Sequence, residues 1–131
     1  MRVVAAVIAD GDRLLVCQRP AHKRHGGLWE FPGGKRESGE SDAAAIAREL
    51  HEELGVVVVA VGAEQFAIQD AGSHFLIVFI PVEIAGEPVC REHTALRWGT
   101  LREIAQLELA PSDRRFVEAL RRAHDPTSTP A

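Results

Sequence analysis

Gly34 to Val56 reads GKRESGESDAAAIARELHEELGV, with Arg48-Glu49-Leu50-His51-Glu52-Glu53 at its centre. The spacing predicts a helix. Ala43, Ile46, Ala47, Leu50 and Leu54 fall on one stripe, which is expected to face a core. Glu49, Glu52 and Glu53 are three and four residues apart, so they share a neighbouring face. Carboxylates packed this closely repel one another, and a helix gains nothing from them unless a cation sits among them. Taken alone they also read as a solvated acidic face. Ser41 or Asp42 is suited to start the helix by capping its free amides, and Gly55 to end it.

Upstream, residues 2–9 (RVVAAVIA) and 13–18 (RLLVCQ) read as strands joined by Asp10-Gly11-Asp12, a hairpin signal. Residues 19–29 read as a loop in which Arg19, Lys23, Arg24 and His25 concentrate positive charge. Such a loop beside an acidic helix suits a phosphate, or is ordinary surface charge. Glu30-Phe31-Pro32-Gly33-Gly34-Lys35 follows, and its paired glycines permit a tight turn.

Downstream, the near-continuous β-branched run 56–61 (VVVVAV) predicts a strand buried on both faces. Further strands are expected at 64–70, at 74–83 (HFLIVFIPVE) and at 95–98. Thr100 is expected to cap a short helix over 101–106. A last helix, 113–123, is expected to turn Phe116, Val117 and Leu120 inward. This order predicts an α/β fold, an α/β/α sandwich with a central mixed β-sheet.

The chain has 131 residues, 46% of them hydrophobic, which suits one domain with one real core. That domain is expected to span residues 1–124, with the Pro/Ser/Thr-rich tail 125–131 disordered. The apolar opening, Val3 to Ala9, is too short to span a membrane and lacks a cleavage-site pattern. Cys17 and Cys90 make no disulfide framework, and each is expected to be a reduced core residue. A cytoplasmic protein without a membrane partner follows. The net charge of −4 argues against binding nucleic-acid polymers, but not against a phosphorylated small molecule bridged by metal ions. The six histidines show no zinc-ligand spacing, and no serine lies in a nucleophile motif.

The flanks of the acidic cluster complete a longer pattern: Gly34, five residues, Glu40, seven residues, Arg48-Glu49-Leu50, one residue, Glu52-Glu53, one residue, Gly55-Val56. This resembles the box that defines the Nudix hydrolases, with nine specified positions in 23 residues and none missing. The Nudix fold is also an α/β/α sandwich. The resemblance implies hydrolysis of a nucleoside diphosphate-linked substrate with Mg²⁺, Mn²⁺ being a possible replacement. Both cations prefer oxygen ligands. It implies Glu49, Glu52 and Glu53 as metal ligands, together with the Gly33 carbonyl. It implies Glu92 as a base or a further ligand, and Arg48 as the residue that orients the glutamates. Arg19 and Lys35 would bind phosphates, and Phe31 and Phe75 offer rings that could stack on a base.

Within the family the chain has no tyrosine, where diadenosine polyphosphate hydrolases carry one downstream. It also lacks the proline that ADP-ribose hydrolases carry past the box. Gln18-Arg19-Pro20, Leu28 to Lys35, the box, Arg91-Glu92-His93, Ala95 to Trp98 and Leu109 to Asp113 look like the MutT-type triphosphate group. Their spacing is nearest to bacterial CTP pyrophosphohydrolases. In MutT proper an asparagine reads the oxidised purine where this chain has Asp113. An ionised aspartate accepts hydrogen bonds only, which suits a cytosine amine or the N–H groups of a guanine edge. The expected function is hydrolysis of (d)CTP, or of modified dNTPs such as 8-oxo-dGTP, to monophosphate and pyrophosphate, by a monomer or homodimer. A Nudix enzyme acting on another nucleoside diphosphate-linked substrate is the alternative, as is a module that binds nucleotides without catalysis.

Overall fold

The computed structural model describes residues 1–69 and 72–124. The expected tail, 125–131, lies outside the described residues, as do Asp70, the last position of the expected strand 64–70, and Ala71. The sheet is built on β1 (Arg2–Asp10) and β7 (Leu76–Ala85), which pair in parallel from Arg2↔Leu76 to Ile8↔Val82. The other strand-to-strand ladders among the described residues are antiparallel, so the sheet is mixed. β5 (Val57–Val61) and β6 (Phe66–Gln69) both pair with β7. β2 (Arg13–Gln18) turns back from β1 over Gly11, whose φ of 62° suits the tight Asp-Gly turn. β8 (Ala95–Thr100) pairs along the length of β2.

One irregularity makes room for a site. β2 pairs with β1 only beside the turn, at Ala9↔Leu14 and Asp10↔Arg13. Beyond that point the chain from Trp29 to Lys35 enters between them. Its first part, β3 (Trp29–Glu30), pairs with the end of β2. Its second part, β4 (Gly33–Lys35), pairs with the start of β1, and the Pro32 carbonyl accepts from the Ala6 amide. From sequence alone this stretch reads as loop and turn. Its two- and three-residue strands carry too short an apolar pattern to be legible.

Alternation along β1 divides the interior. Val4, Ala6 and Ile8 face α1 (Asp42–Leu54) and meet Ala45, Ile46, Leu50 and Leu54. Ala5 and Val7 face the other side, with Phe31, Phe79 and the helices α2 (Leu101–Ile104) and α3 (Pro111–His124), which contribute Ile104, Phe116 and Val117. The expected α/β/α sandwich is the observed architecture. Ser41 Oγ accepts from the Ala44 amide and Gly55, at φ 69°, closes α1, as its local sequence predicts. Thr100 and Glu103 form a reciprocal cap on α2.

Three expectations need correction. Ala43 and Ala47 are exposed, and Ala45 and Glu53 take their places on the buried face. The large side chains Ile46, Leu50 and Leu54 set the helix rotation, and alanines bury too little area to shift it. The 56–61 run is not buried on both faces: Val57 and Val59 are 60% and 58% exposed, because β5 has β7 on one edge and alternates against α1 on one face only. Its five valines carry strand propensity, not a burial assignment. Cys17 is buried, but Cys90 is exposed in the connection between β7 and β8.

Candidate functional site

A cleft of about 500 Å³ opens where β1 and β2 part, and its lining includes Gly33, Gly34, Glu49, Glu53, Glu92 and His93. Arg19, Lys23, Arg24 and His25 from the basic loop, together with Lys35, Phe75 and Asp113, complete the parts that bear on chemistry.

The acidic wall is held by Arg48. Its Nε and Nη2 donate to the two Glu40 oxygens, each at 2.9 Å, while Nη1 donates to Glu49 Oε1 at 2.9 Å. Nη2 also reaches the Lys35 carbonyl at 3.0 Å. One guanidinium thus ties the segment before α1 to the helix and sets the Glu49 rotamer. The Arg48 pairing and the Glu37 amide hold the Glu40 carboxyl down at about 2, and the same pairing pushes the Arg48 guanidinium up. The two glycines of β4 make the approach possible. A Cβ on Gly33, at φ 156°, would lie 1.9 Å from the Val4 carbonyl, so only glycine lets β4 lie on β1. A Cβ on Gly34 would lie 2.4 Å from the Glu49 carboxylate carbon, so the carboxylate rests in the space a side chain would fill.

Glu53 is 4% exposed. Burial, and then the Glu49, Glu30 and Glu92 carboxylates, push its carboxyl well above the usual range. Its Oε2 is buried with no hydrogen-bond partner among the described residues. A buried, unpaired carboxylate oxygen on a negative wall needs a proton or a cation, and hard oxygen donors fit a divalent cation of the Mg²⁺ class. The set is nevertheless not closed. Among the described residues no three His, Cys, Asp or Glu side chains converge closely enough to hold an ion. Glu49 is drawn to Arg48, and the Glu52 side chain is half exposed, 3.8 Å from Arg48 and outside the cleft lining. Of the expected ligands, the cleft gathers Gly33, Glu49, Glu53 and Glu92 and leaves out Glu52.

The segment carrying Glu92 docks on the last turn of α1. The Val89 amide donates to the Leu54 carbonyl and the Arg91 amide to the Glu53 carbonyl. Arg91 Nη1 donates to the His51 carbonyl at 3.2 Å. Free carbonyls at a helix end attract a cation, and here they also fix where Glu92 and His93 stand.

On the opposite wall the expected binding residues separate. Phe31 lines the cleft but is 3% exposed and meets Phe79 and Phe116 edge-on, so its ring packs into the core. Its chain enters between two strands and turns the ring away from solvent. Phe75 is half-buried beneath Lys35, whose Nζ lies 4.9 Å from the ring centroid. Arg19 donates to the Arg24 carbonyl at 2.7 Å and to Glu30 Oε1 at 2.9 Å, which commits much of its guanidinium to the loop itself. Asp113 Oδ1 accepts from the Phe31 amide at 2.9 Å. Burial pushes the Asp113 carboxyl up to about 8, opposed by that amide. Burial thus favours the protonated form over the ionised aspartate expected from sequence, and a protonated carboxyl offers a donor as well as an acceptor.

Sequence reasoning missed two residues. Glu30 and His93 meet through His93 Nε2 and Glu30 Oε2 at 2.9 Å, although 63 positions separate them. Histidine spacing along the chain speaks only to metal ligation, and nothing local marks a pair so distant.

A profile described as the NUDIX domain matches residues 1–120. The chain is 40% identical over 125 residues to a Mycobacterium tuberculosis protein named "Putative 8-oxo-dGTP diphosphatase 2", covering 92% of this chain and 87% of that one. It is 38% identical over 122 residues to the CTP pyrophosphohydrolase of Escherichia coli, covering 91% and 90%. The solution structure of the E. coli ORF135 protein superimposes with a TM-score of 0.78 at 39% identity, covering 95% of this chain and 93% of that one.

Proposed function

This chain belongs to the Nudix family of hydrolases, and on that premise we propose that it cleaves a nucleoside triphosphate to the monophosphate and pyrophosphate. The observation that carries the reading is the Glu49–Glu53 wall facing a cleft with a cationic loop and a polar, buried Asp113. Triphosphate oxygens repel a nucleophile, and a divalent cation bound at that wall would neutralise them and make a water acidic. Glu49, Glu53 and the Gly33 carbonyl would hold it, with Glu52 joining by rotation from solvent. Lys35, stationed on Phe75, and the loop Arg19–His25 hold the phosphates. Water attacks the β-phosphorus, Glu92 takes its proton, and the bond from that phosphorus to the α–β bridging oxygen breaks. The incoming oxygen stays on pyrophosphate, and the bridging oxygen leaves with the monophosphate.

The relatives' names point to (d)CTP and 8-oxo-dGTP as the substrates to test. A neutral Asp113 suits a base edge that offers both a donor and an acceptor, which both nucleotides do. Pyrophosphate release with Mg²⁺ is the test, across CTP, dCTP, 5-methyl-dCTP, dGTP, 8-oxo-dGTP, ADP-ribose and diadenosine tetraphosphate. The expected result is turnover confined to the triphosphates. Turnover of ADP-ribose or diadenosine tetraphosphate alone would overturn the substrate class. Glu49→Gln is expected to lower kcat by about 100-fold or more with the fold intact, and near-wild-type turnover would remove Glu49 from the ligand set.

A further inference from the structure

A line of side chains crosses from the basic loop to the acidic wall. Arg19 Nη1 donates to Glu30 Oε1 at 2.9 Å, and Glu30 Oε2 lies 2.9 Å from His93 Nε2. His93 Nδ1 then faces Glu53 Oε1 at 3.6 Å, within ion-pair reach but beyond a hydrogen bond. The His93 and Glu53 side chains are only 6% and 5% exposed. His93 Nδ1 and Glu53 Oε2 are the two buried side-chain polar atoms that lack a hydrogen-bond partner among the described residues. Such atoms cost stability, and two of them on facing side chains mark a place arranged for something other than stability. The same segment grips Glu53 twice, because the Arg91 amide, two residues before His93, donates to the Glu53 carbonyl.

We infer that His93 is a positioning residue for Glu53. Glu30 anchors the imidazole at one nitrogen, Arg19 anchors Glu30, and the other nitrogen edge limits where the Glu53 carboxylate can turn. The Glu49, Glu30 and Glu92 carboxylates all act against an ionised Glu53, and the imidazole standing between Glu30 and Glu53 limits the positions left to its side chain. Outer partners of this kind orient a ligand without touching the ion, and their loss weakens metal affinity by about 10–100-fold. The inference rests on the reading of Glu53 as a cation ligand.

The test uses Mn²⁺ alone, without nucleotide, with the free ion followed by electron paramagnetic resonance. The proteins are the full chain, His93→Phe, His93→Gln and Glu30→Gln, each also melted without metal. His93→Phe fills the ring's volume without its nitrogens and is expected to raise the Mn²⁺ dissociation constant about 10-fold or more. His93→Gln keeps a polar end and should recover part of that loss. Glu30→Gln, which frees the ring from its anchor, should fall between wild type and His93→Phe. A purely structural His93 would lower the melting temperature and leave the dissociation constant unchanged, which overturns the inference. Should His93→Phe fail to fold, His93→Gln and Glu30→Gln decide alone, and wild-type affinity in both overturns it. Absence of Mn²⁺ binding by the wild type would overturn the cation reading of Glu53 and this inference with it.

Discussion

Gly34 and Glu49 share one volume. The Glu49 carboxylate oxygens lie 2.6 Å from where a Gly34 Cβ would stand. Gly34→Ala must therefore displace a flexible carboxylate, which is cheap for the fold and expensive for a ligand. We expect kcat to fall about 100-fold, as an ångström's misplacement can produce, with the melting temperature changed by a few degrees at most; steady-state kinetics beside calorimetry would show both. Asp113 makes a second prediction. Its ordinary value is 3.8 and its folded value about 8. Between these pH values the folded protein holds a proton that the unfolded chain has released. The unfolded state binds fewer protons, so this group makes stability fall as pH rises from about 4 to about 8, with a limiting slope of about 1.4 kcal/mol per unit. Asp113→Asn removes the titration. Urea unfolding at pH 5 and pH 8 should show the variant gaining on wild type at the higher pH, and an unchanged difference would contradict the protonated Asp113.

At the scale of elements, α1 is held at its middle and at its last turn by residues that also serve the cleft. Arg48 joins its middle to the preceding segment through Glu40 and the Lys35 carbonyl. Arg91 closes its last turn through the His51 carbonyl, while the Val89 and Arg91 amides use the Leu54 and Glu53 carbonyls. The segment bearing Glu92 and His93 therefore stays in place because a helix end needs partners. Arg91→Ala removes a charged hydrogen bond worth about 1.5–3 kcal/mol, discounted here because the contact is solvent-exposed. Amide exchange at Val89 and Arg91 should accelerate roughly tenfold, corresponding to about 1.4 kcal/mol of local opening. Amides of β1 and β7 should keep their wild-type rates, and equal acceleration everywhere would mean a global effect. The helix limits were legible in Ser41 and Gly55, since capping is decided within a few residues. The helix rotation was not, because alanine occupies both the buried and the exposed positions of α1.

For the molecule as a whole, the sheet separates two cores. Leu50 belongs to the α1 side and Ile104 to the α2–α3 side, and both are fully buried. Leu50→Ala is expected to cost about 2–5 kcal/mol and Ile104→Val about 0.5–1.5 kcal/mol. With the sheet between them the two should add within about 0.5 kcal/mol in denaturant unfolding, and a larger coupling would show that β1 transmits strain across the sheet. The box, its helix and the longer strands were legible in the sequence itself. They rest on spacing, capping and alternation, which act over a few residues. The closure of the site was decided only by the tertiary structure. Glu30 meets His93 across 63 positions, and the Phe31 amide meets Asp113 across 82. Phe31 packs into the core and Asp113 is pushed toward its protonated form, because burial and long-range pairing are properties of a packed volume. Local spacing carries the identity of a side chain, and only packing sets its surroundings and hence its charge.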